Sequence, residues 1–241
     1  MVQSAIYVGI SAQLALLRRL DTIANNVANQ GTAGFRSEHV TFESIVSDAE
    51  GGAVEYVSRG AVGLSRNPGE LVQTGNPLDI AIDGASWLSV ETPSGRAYTR
   101  DGRLTITQTG ELHTLTGFPV LDAGGSVLKI DAQKGPPEFS RDGAINQSGR
   151  KVGMIGLFQI DADAKLERIA GGAVVSDRPA EPQLDGRSGG IVQGFVERSN
   201  ANPIEEMTKL ITVQRAFDSV SSTISMIEAG QADAIRALGG G

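Results

Sequence analysis

The sequence contains no cysteine and few aromatic residues. Without cysteine the chain can form no disulfide, thiolate metal site or cysteine nucleophile. Phe, Trp and Tyr make up 5% of the 241 residues, so large core anchors are sparse, and the 31 glycines indicate a chain rich in turns. A chain of this length can still hold one or two domains with a buried core.

Clusters of positive charge and long apolar runs are also missing. The formal net charge is −7 and Lys and Arg are scattered, which argues against nucleic acid or an anionic membrane surface as the main partner. No apolar run approaches the roughly 18 residues of a membrane span. The first residues lack the basic region, apolar core and cleavage site of a secretory signal peptide. We therefore expect no membrane insertion and no cleaved signal peptide.

The C-terminal segment, residues 203–238, has the pattern of a coiled-coil helix. Its apolar residues recur at alternating steps of three and four, an average period of about 3.5 residues. Asn202 is the expected N-cap, followed by Pro203 in the first turn and Glu205 at the third helical position. At roughly 54 Å such a helix would project beyond a compact domain. The predicted seam consists of Leu210, Val213, Phe217, Val220, Ile224, Ile227 and Leu238.

The N-terminal segment, residues 6–28, carries a similar seam. Its members are Ile6, Ile10, Leu17, Leu20, Ala24 and Val27, with Gln13 as a polar member and Leu14 and Ile23 widening it. Packing the two terminal helices together is the simplest way to cover both seams. The alternative is an ordinary helix packed on its own domain.

Three asparagines stand at the end of this first helix. Asparagine is roughly 0.6 kcal/mol worse than alanine in a helix interior, so the amides of Asn25, Asn26 and Asn29 should bond to something. They could cap the helix end, with Gly31 as a left-handed terminator, or bond to a neighbouring subunit. The residues alone leave both possibilities open.

The middle of the chain is predicted to be β. Residues 37–76 are rich in glycine with short alternating patches, which indicates an extended connector or hairpin. Residues 77–192 alternate apolar and polar positions between turn pairs such as Asp83-Gly84 and Asp142-Gly143, as in a sandwich or small barrel.

The predicted fold is therefore α+β, with a terminal α-helical coiled-coil domain built from both chain ends and a central all-β domain. The predicted segments are 1–36, the N-terminal helix and its motif; 37–76, the connector; 77–192, the β domain; and 193–241, the C-terminal helix that completes the helical domain.

Residues that could carry chemistry fit structural roles better. Asp79, Asp83 and Asp101 stand near turn glycines, as an acid/base pair or cation site would need, but aspartate before glycine is common turn chemistry. Residues 161–165 begin like a calcium loop yet lack its glycine and final glutamate. His39 and His113 have no metal-ligand spacing.

Nucleotide-binding glycine motifs and a nucleophile elbow are also absent from the sequence. We expect no enzyme activity, no metal and no cofactor. A carbohydrate-active enzyme that uses the turn carboxylates is the alternative that an assay would test.

Several stretches match motifs of one protein family. Residues 20–36 read LDTIANNVANQGTAGFR, residues 69–84 GELVQTGNPLDIAIDG, residues 98–102 YTRDG and residues 116–121 TGFPVL. Near the C-terminus follow GFVERSNANPIEEM at 194–207 and QRAFD at 214–218. These stretches resemble motifs of the bacterial flagellar axial proteins, the rod, hook and hook-associated proteins. The residues that we single out in them are Asn25, Asn26, Asn29, Thr32, Gly34, Phe35, Gln214 and Arg215.

The resemblance implies a structural subunit of the flagellar basal-body rod, which transmits torque from motor to hook. The length suits two helices, a connector and one β domain, and the resemblance is closer to the proximal than to the distal rod subunit. The implied partners are other copies, neighbouring proximal and distal rod subunits, and the flagellar type III export apparatus. The implied location is the periplasmic rod, reached without a cleaved signal peptide.

On this interpretation the helix seams are assembly interfaces that order when neighbours are present. Gln214 and Arg215 are either solvated helix residues or partners for the asparagines of a neighbouring N-terminal helix. The alternatives are a distal rod or other axial subunit, and a secreted module that binds a ligand through its β domain.

Overall fold

Two helices at the chain ends flank a long run of strands. A computed structural model describes residues 2–42, 44–49, 52–57, 60–183 and 189–239. Helix α1 spans Val2–Ala28 and helix α2 spans Pro203–Gly239. The strands between them make the protein mostly β, which confirms the predicted α+β class.

Contacts divide the chain into two units. The helical unit comprises Met1–Ala28, Glu38–Gly63 and Asn202–Gly241, and the β unit comprises Asn29–Ser37 and Leu64–Ala201. The division predicted from the sequence has its boundaries elsewhere, after residues 36, 76 and 192, and stays a prediction.

The two helices pack against each other in the helical unit and run antiparallel. Gly9 of α1 lies against the side chain of Ile224, and the Gln13 amide donates to the Ser221 hydroxyl at 2.8 Å. At the opposite end of α1, Asn26 bonds to Glu206 at 3.0 Å. The predicted pairing of the chain ends is therefore present within one molecule.

Four short strands complete the helical unit. Strand β1 (Glu38–Thr41) pairs with β4 (Ala61–Leu64), and β2 (Ser44–Ala49) pairs with β3 (Gly52–Val57) in an antiparallel hairpin. Helix α1 packs on β1 and β3 as well as on α2.

The start of α2 follows the predicted capping chemistry. The Asn202 side-chain oxygen accepts hydrogen bonds from the backbone N–H groups of Ile204 at 3.1 Å and Glu205 at 3.4 Å. These are first-turn donors that the helix itself cannot satisfy. Glu205 and Glu206 lie in the same turn, where the helix dipole favours negative charge.

The β unit contains one large sheet and several small ones. Its strands are β5 (Leu71–Gln73), β6 (Ile80–Gly84), β7 (Trp87–Thr92), β8 (Gly95–Thr99), β9 (Leu104–Ile106), β10 (Leu112–Thr114), β11 (Glu138–Phe139), β12 (Ala144–Gln147), β13 (Arg150–Met154), β14 (Leu157–Gln159), β15 (Leu166–Arg168), β16 (Val174–Ser176), β17 (Glu181–Pro182), β18 (Gly189–Gln193) and β19 (Phe195–Glu197). The six-stranded sheet has the order β15-β16-β8-β7-β14-β17. The smaller sheets are β11-β12-β13, β9-β10, β6-β18 and β5-β19.

Apolar side chains of these strands and of the segments between them form two buried clusters. The larger includes Ile80, Leu88, Leu112, Val120 and Ile145, all nearly inaccessible to solvent. The second gathers Trp87, Tyr98 and Phe158 on the six-stranded sheet. The core is thus built chiefly from aliphatic residues, as the low aromatic content indicates.

In the described part of the chain, neither helix has the length and apolar character that crossing a membrane requires.

Candidate functional site

The predicted seam of α2 lies on the side that faces α1. Val213 is buried, and the side chains of Leu210, Phe217, Val220, Ile224 and Ile227 are half-buried. The seam residue Leu238 lies outside the residues whose side chains the structure describes. The alternating steps of three and four therefore trace one face of this helix.

The predicted seam of α1 is divided between two sides. Ile6, Leu20 and Val27 are half-buried, whereas Ile10 and Leu17 are 42% and 43% exposed. Gly9 and Gln13 contact α2, and steps of three and four from them lead to Leu16, Leu20, Ile23 and Val27. Sequence reasoning missed Gly9 and Leu16 because α1 is apolar on more than one side.

The asparagines near the end of α1 bond within the chain. Asn26 is almost fully buried: its amide nitrogen donates to the Glu38 carbonyl at 2.8 Å and to the Glu206 carboxylate at 3.0 Å. Its side-chain oxygen accepts from the Glu38 backbone N–H at 2.8 Å. Asn25 donates to the Glu38 carboxylate at 3.1 Å. Thus α1, β1 and α2 are joined through these two amides.

The left-handed residue after α1 is Gly34. Gly31, which the sequence offered as one possible terminator, does not have a positive φ, whereas Gly34 has a φ of +68°. The chain between them makes a turn in which the Thr32 hydroxyl donates to the Asn29 side chain at 3.2 Å.

Glu206 holds a second polar contact in the helical unit. Its carboxylate accepts from Lys209 one turn later at 2.8 Å, and that hydrogen bond raises the pKa of Lys209. Glu206 is buried, so the contacts with Asn26 and Lys209 satisfy a carboxylate that would otherwise be costly to bury.

In the β unit, Glu197 lies between two arginines. Its side chain is fully buried, one carboxylate oxygen lies 2.7 Å from Arg36 and the other lies 2.5 Å from Arg100. The first oxygen also accepts from the Gly69 backbone N–H at 2.9 Å. We call Arg36, Gly69, Arg100 and Glu197 the Glu197 cluster.

Both guanidinium groups of the cluster are buried and hydrogen-bonded. Arg100 also donates to the carbonyls of Ile82 at 2.7 Å and Gly84 at 2.9 Å, which fixes it to strand β6. Burial lowers the pKa of Arg36 to about 10 and lowers the pKa of Arg100, while the charge of Glu197 opposes both changes. Because arginine is not deprotonated in proteins at neutral pH, two cationic side chains share one carboxylate in the cluster.

The backbone packs tightly around the cluster. A Cβ atom at Gly34 would lie 2.3 Å from the Asp101 backbone nitrogen, and one at Gly69 would lie 1.8 Å from the Arg198 carbonyl oxygen. The Gly34 N–H donates to the Glu197 carbonyl at 2.7 Å. Glycine at these positions is therefore required by close approach of the backbone.

Further contacts attach residues 35–37 to the β unit. The Arg168 guanidinium lies 4.2 Å from the ring centroid of Phe35, a cation–π distance. The Ser37 N–H donates to the Asn200 side chain at 2.6 Å, and the Asn200 N–H donates to the Phe35 carbonyl at 3.3 Å. Residues 34–37 and 197–200 are thus held side by side.

Four of the sequence motifs meet at the Glu197 cluster: residues 20–36, 69–84, 98–102 and 194–207 each contribute one of its members. Gly34 and Phe35 were singled out from the sequence, whereas the roles of Arg100 and Glu197 were missed. The only signal for them was their place in the motifs, because residues so far apart in sequence carry no spacing pattern.

The remaining motif residues on α2 are exposed to solvent, and the candidate catalytic carboxylates pair with nearby side chains. Gln214 and Arg215 are exposed on α2. Asp79 accepts from Asn76 at 3.0 Å, Asp83 pairs with Arg141 at 3.2 Å, and Asp101 pairs with Arg103 at 2.7 Å. Within the described ranges no group of three or more His, Cys, Asp or Glu residues could hold a metal ion.

Three family profiles match the chain. The profile described as flagella basal body rod protein matches residues 6–36, and that of the flagellar hook protein FlgE/F/G D1 domain matches residues 81–150. The profile of the flagellar basal body rod FlgEFG protein C-terminal region matches residues 192–236. The matches cover both helices and much of the β unit.

Curated relatives match over the full length. The flagellar basal-body rod protein FlgF of Mesorhizobium japonicum is 45% identical, with 99% of each chain covered, and that of Rhizobium meliloti is 43% identical with the same coverage. The flagellar basal-body rod protein FlgG of Bacillus subtilis is 31% identical over 92% of this chain and 94% of its own.

Proposed function

This chain belongs to the flagellar basal-body rod protein family, and from that premise we propose that its terminal helices join it to neighbouring rod subunits. It is a structural subunit of the flagellar basal-body rod and is FlgF-like, since its identity to FlgF proteins of M. japonicum and R. meliloti exceeds that to the FlgG of B. subtilis. One observation carries the proposal: large apolar side chains remain exposed on a helix pair whose facing sides are already packed.

The energetics favour association through these helices. Full burial of one large apolar side chain contributes about 1.5 to 3 kcal/mol, so several such contacts together are comparable with the free energy cost of association, about 4 to 15 kcal/mol. Ile10 and Leu17, predicted as interface residues, are accessible for this purpose. The seam that includes Val213 instead supports the pair itself, in a coiled-coil manner.

The proposed partners are other copies of this chain and the adjoining proximal and distal rod subunits. Together they form the shaft that transmits torque from motor to hook. We also propose export through the flagellar type III apparatus to the periplasm without a cleaved signal peptide, a route that a cysteine-free chain can take unfolded. Export brings the subunit to the place where its neighbours assemble.

The role that we propose is structural and not enzymatic. The carboxylates that could have formed an acid/base pair are each bonded to a nearby Arg or Asn side chain, as at Asp101 and Asp79. Each carboxylate is thus engaged in a local side-chain contact, as is common for aspartates in turns.

Deletion of residues 204–238 tests the proposal. We expect the shortened protein to keep a folded β unit and to be missing from isolated basal bodies, as measured by immunoblotting of purified basal bodies and by swimming assays. The control is the substitution Lys151→Ala on the exposed part of β13, which should leave incorporation unchanged. Normal incorporation of the shortened protein would contradict an assembly role for the helices.

A further inference from the structure

An apolar stripe on α1 lies outside its contact with α2. Tyr7, Ile10, Leu14 and Leu17 are separated by steps of three, four and three, and they are 42% to 63% exposed. Each residue turns an α-helix by about 100°. On that basis the centre of the stripe lies roughly 100° around the helix axis from the side that carries Gly9, Gln13 and Leu20. We call these four residues the α1 stripe.

A second stripe lies on the first turns of α2. Ile204, Met207 and Ile211 follow steps of three and four, are 53% to 77% exposed, and lead to the exposed Gln214 one further step along. This α2 stripe is centred roughly 140° around the helix from the side that faces α1. Two matched, uncovered stripes on one small unit are more than the scattered apolar residues of an ordinary surface.

We infer that the α1 stripe of one copy packs antiparallel on the α2 stripe of a second copy, which rests on the proposed function and specifies its interface. In antiparallel coiled coils the two alternating seam positions face each other. That arrangement pairs Leu17 with Ile204, Leu14 with Met207 and Ile10 with Ile211 in successive layers. The fourth layer places Tyr7 opposite Gln214, so an amide faces an amphipathic ring.

The charges at the ends of the stripes select this direction. Antiparallel packing brings Arg18, beside Leu17, close to the carboxylate of Glu205, beside Ile204. Parallel packing would instead pair Leu17 with Gln214 and leave Arg18 about 15 Å along the helix from Glu205. Opposite charges beside a seam favour one partner orientation over the other.

The contact joins different surfaces of the two copies and is staggered. Within one molecule, Gly9 lies opposite Ile224 and Gln13 opposite Ser221, which puts Leu17 near the level of Ala216. Between copies Leu17 meets Ile204, a shift of about 12 residues or about 18 Å along the helix. A contact between unlike surfaces that is offset along the axis generates an open, helical assembly instead of a closed dimer.

Engineered disulfides test this pairing, because the chain has no cysteine of its own. A Leu14→Cys/Met207→Cys protein would be the only copy in the cell, and isolated basal bodies would be oxidised and analysed by non-reducing immunoblotting. Within one molecule the two positions are about 18 Å apart along the helices, too far for a disulfide. We therefore expect a ladder of oligomers beyond the dimer.

The matched control is Leu14→Cys/Ile235→Cys, which moves the second thiol to another exposed apolar position of α2. It should give no ladder. Leu17→Cys/Ile204→Cys, one layer away, should repeat the ladder of Leu14→Cys/Met207→Cys. Exclusion of Leu14→Cys/Met207→Cys from basal bodies that still contain the control would also support the pairing, since both variants carry Leu14→Cys and only the first alters the α2 stripe.

Two results would overturn the inference. One is the absence of a ladder from both stripe variants although the protein is present in basal bodies. The other is a product that stops at the dimer and forms equally with Leu14→Cys alone, which would mean that two α1 stripes meet. In either case the proposed function stands if deletion of residues 204–238 still prevents incorporation, and it fails if the deletion does not.

Discussion

At the scale of single residues, the β unit depends on how it neutralises buried charge. Glu197 is the only acidic member of the Glu197 cluster, and each of its oxygens faces one arginine. Replacing a whole buried ion pair or triad by well-packed apolar residues is often harmless. Removing only one charged partner leaves the remaining buried charges uncompensated. Loss of Glu197 would leave Arg36 and Arg100 as two buried, mutually repelling charges.

We predict that Glu197→Gln lowers the free energy of unfolding by about 3 to 5 kcal/mol, since the amide keeps the shape and loses the charge. Denaturant-induced unfolding of the full chain, followed through Trp87 in the β unit, measures the change. Glu70→Gln, at an exposed carboxylate, is the control and should stay within about 0.5 kcal/mol of the parent. An equal effect of the two substitutions would show that the cluster is not a source of stability.

The conformation and close packing of Gly34 lead to a second prediction about a single residue, the loss of stability when it is replaced. A left-handed φ costs a non-glycine residue about 1 to 2 kcal/mol, and the clash of a Cβ with the Asp101 backbone adds about 1 to 3 kcal/mol. We therefore expect Gly34→Ala to be more destabilising than Gly75→Ala. Gly75 has a φ of +73° and no atom within 4 Å of the added Cβ, so it carries the conformational cost alone. Thermal unfolding of both variants gives the difference, and similar losses would exclude a steric role.

At the scale of elements, Asn26 shows why an unfavourable helix residue is kept. Its three hydrogen bonds link α1 to β1 and α2 in a buried position. Replacement by alanine would gain about 0.6 kcal/mol of helix propensity. It would also leave the Glu206 carboxylate and the Glu38 backbone with unmet hydrogen bonds, each costing about 1 to 3 kcal/mol.

The loss of these hydrogen bonds should outweigh the gain in helix propensity. We predict that Asn26→Ala destabilises the helical unit by about 1.5 to 5 kcal/mol, seen as faster hydrogen exchange of the amides in α1 and α2. Ser222→Ala, an exposed substitution on α2, serves as the control for propensity. If Asn26→Ala slowed exchange, helix propensity would outweigh the buried network.

The two helices also show what a periodic pattern can predict. In the middle of α2 apolar residues occupy few positions outside the side that faces α1, so Val213 and its neighbours mark one direction. The role of this seam as an assembly interface stays a prediction. In α1 apolar residues surround the helix, and the predicted seam mixed the inward Leu20 with the exposed Leu17. Periodicity gives a direction only when the remaining sides are polar.

At the scale of the whole molecule, the Glu197 cluster shows where sequence reasoning stops. The local signals predicted helices, strands and the cap at Asn202, because each depends on neighbours in the chain. The pairing of Arg36 with Glu197 joins residues 161 positions apart and depends on the folded backbone. Residues 29–37 group with the β unit.

That grouping gives a final prediction about independent folding. A fragment of residues 29–201 contains all of the Glu197 cluster and the pair β5-β19, whereas the predicted β domain, residues 77–192, lacks Arg36, Gly69 and Glu197. In the shorter fragment Arg100 would be buried without its carboxylate, a loss of about 3 to 5 kcal/mol. We expect residues 29–201 to unfold cooperatively and residues 77–192 to be much less stable, as measured by urea denaturation and amide NMR spectra.

Adding Glu197→Gln to the longer fragment should remove much of the difference in stability between the two fragments, because it removes the same negative charge. Equal stability of the two fragments would mean that the terminal motifs only connect the units, and that the β strands alone determine the fold.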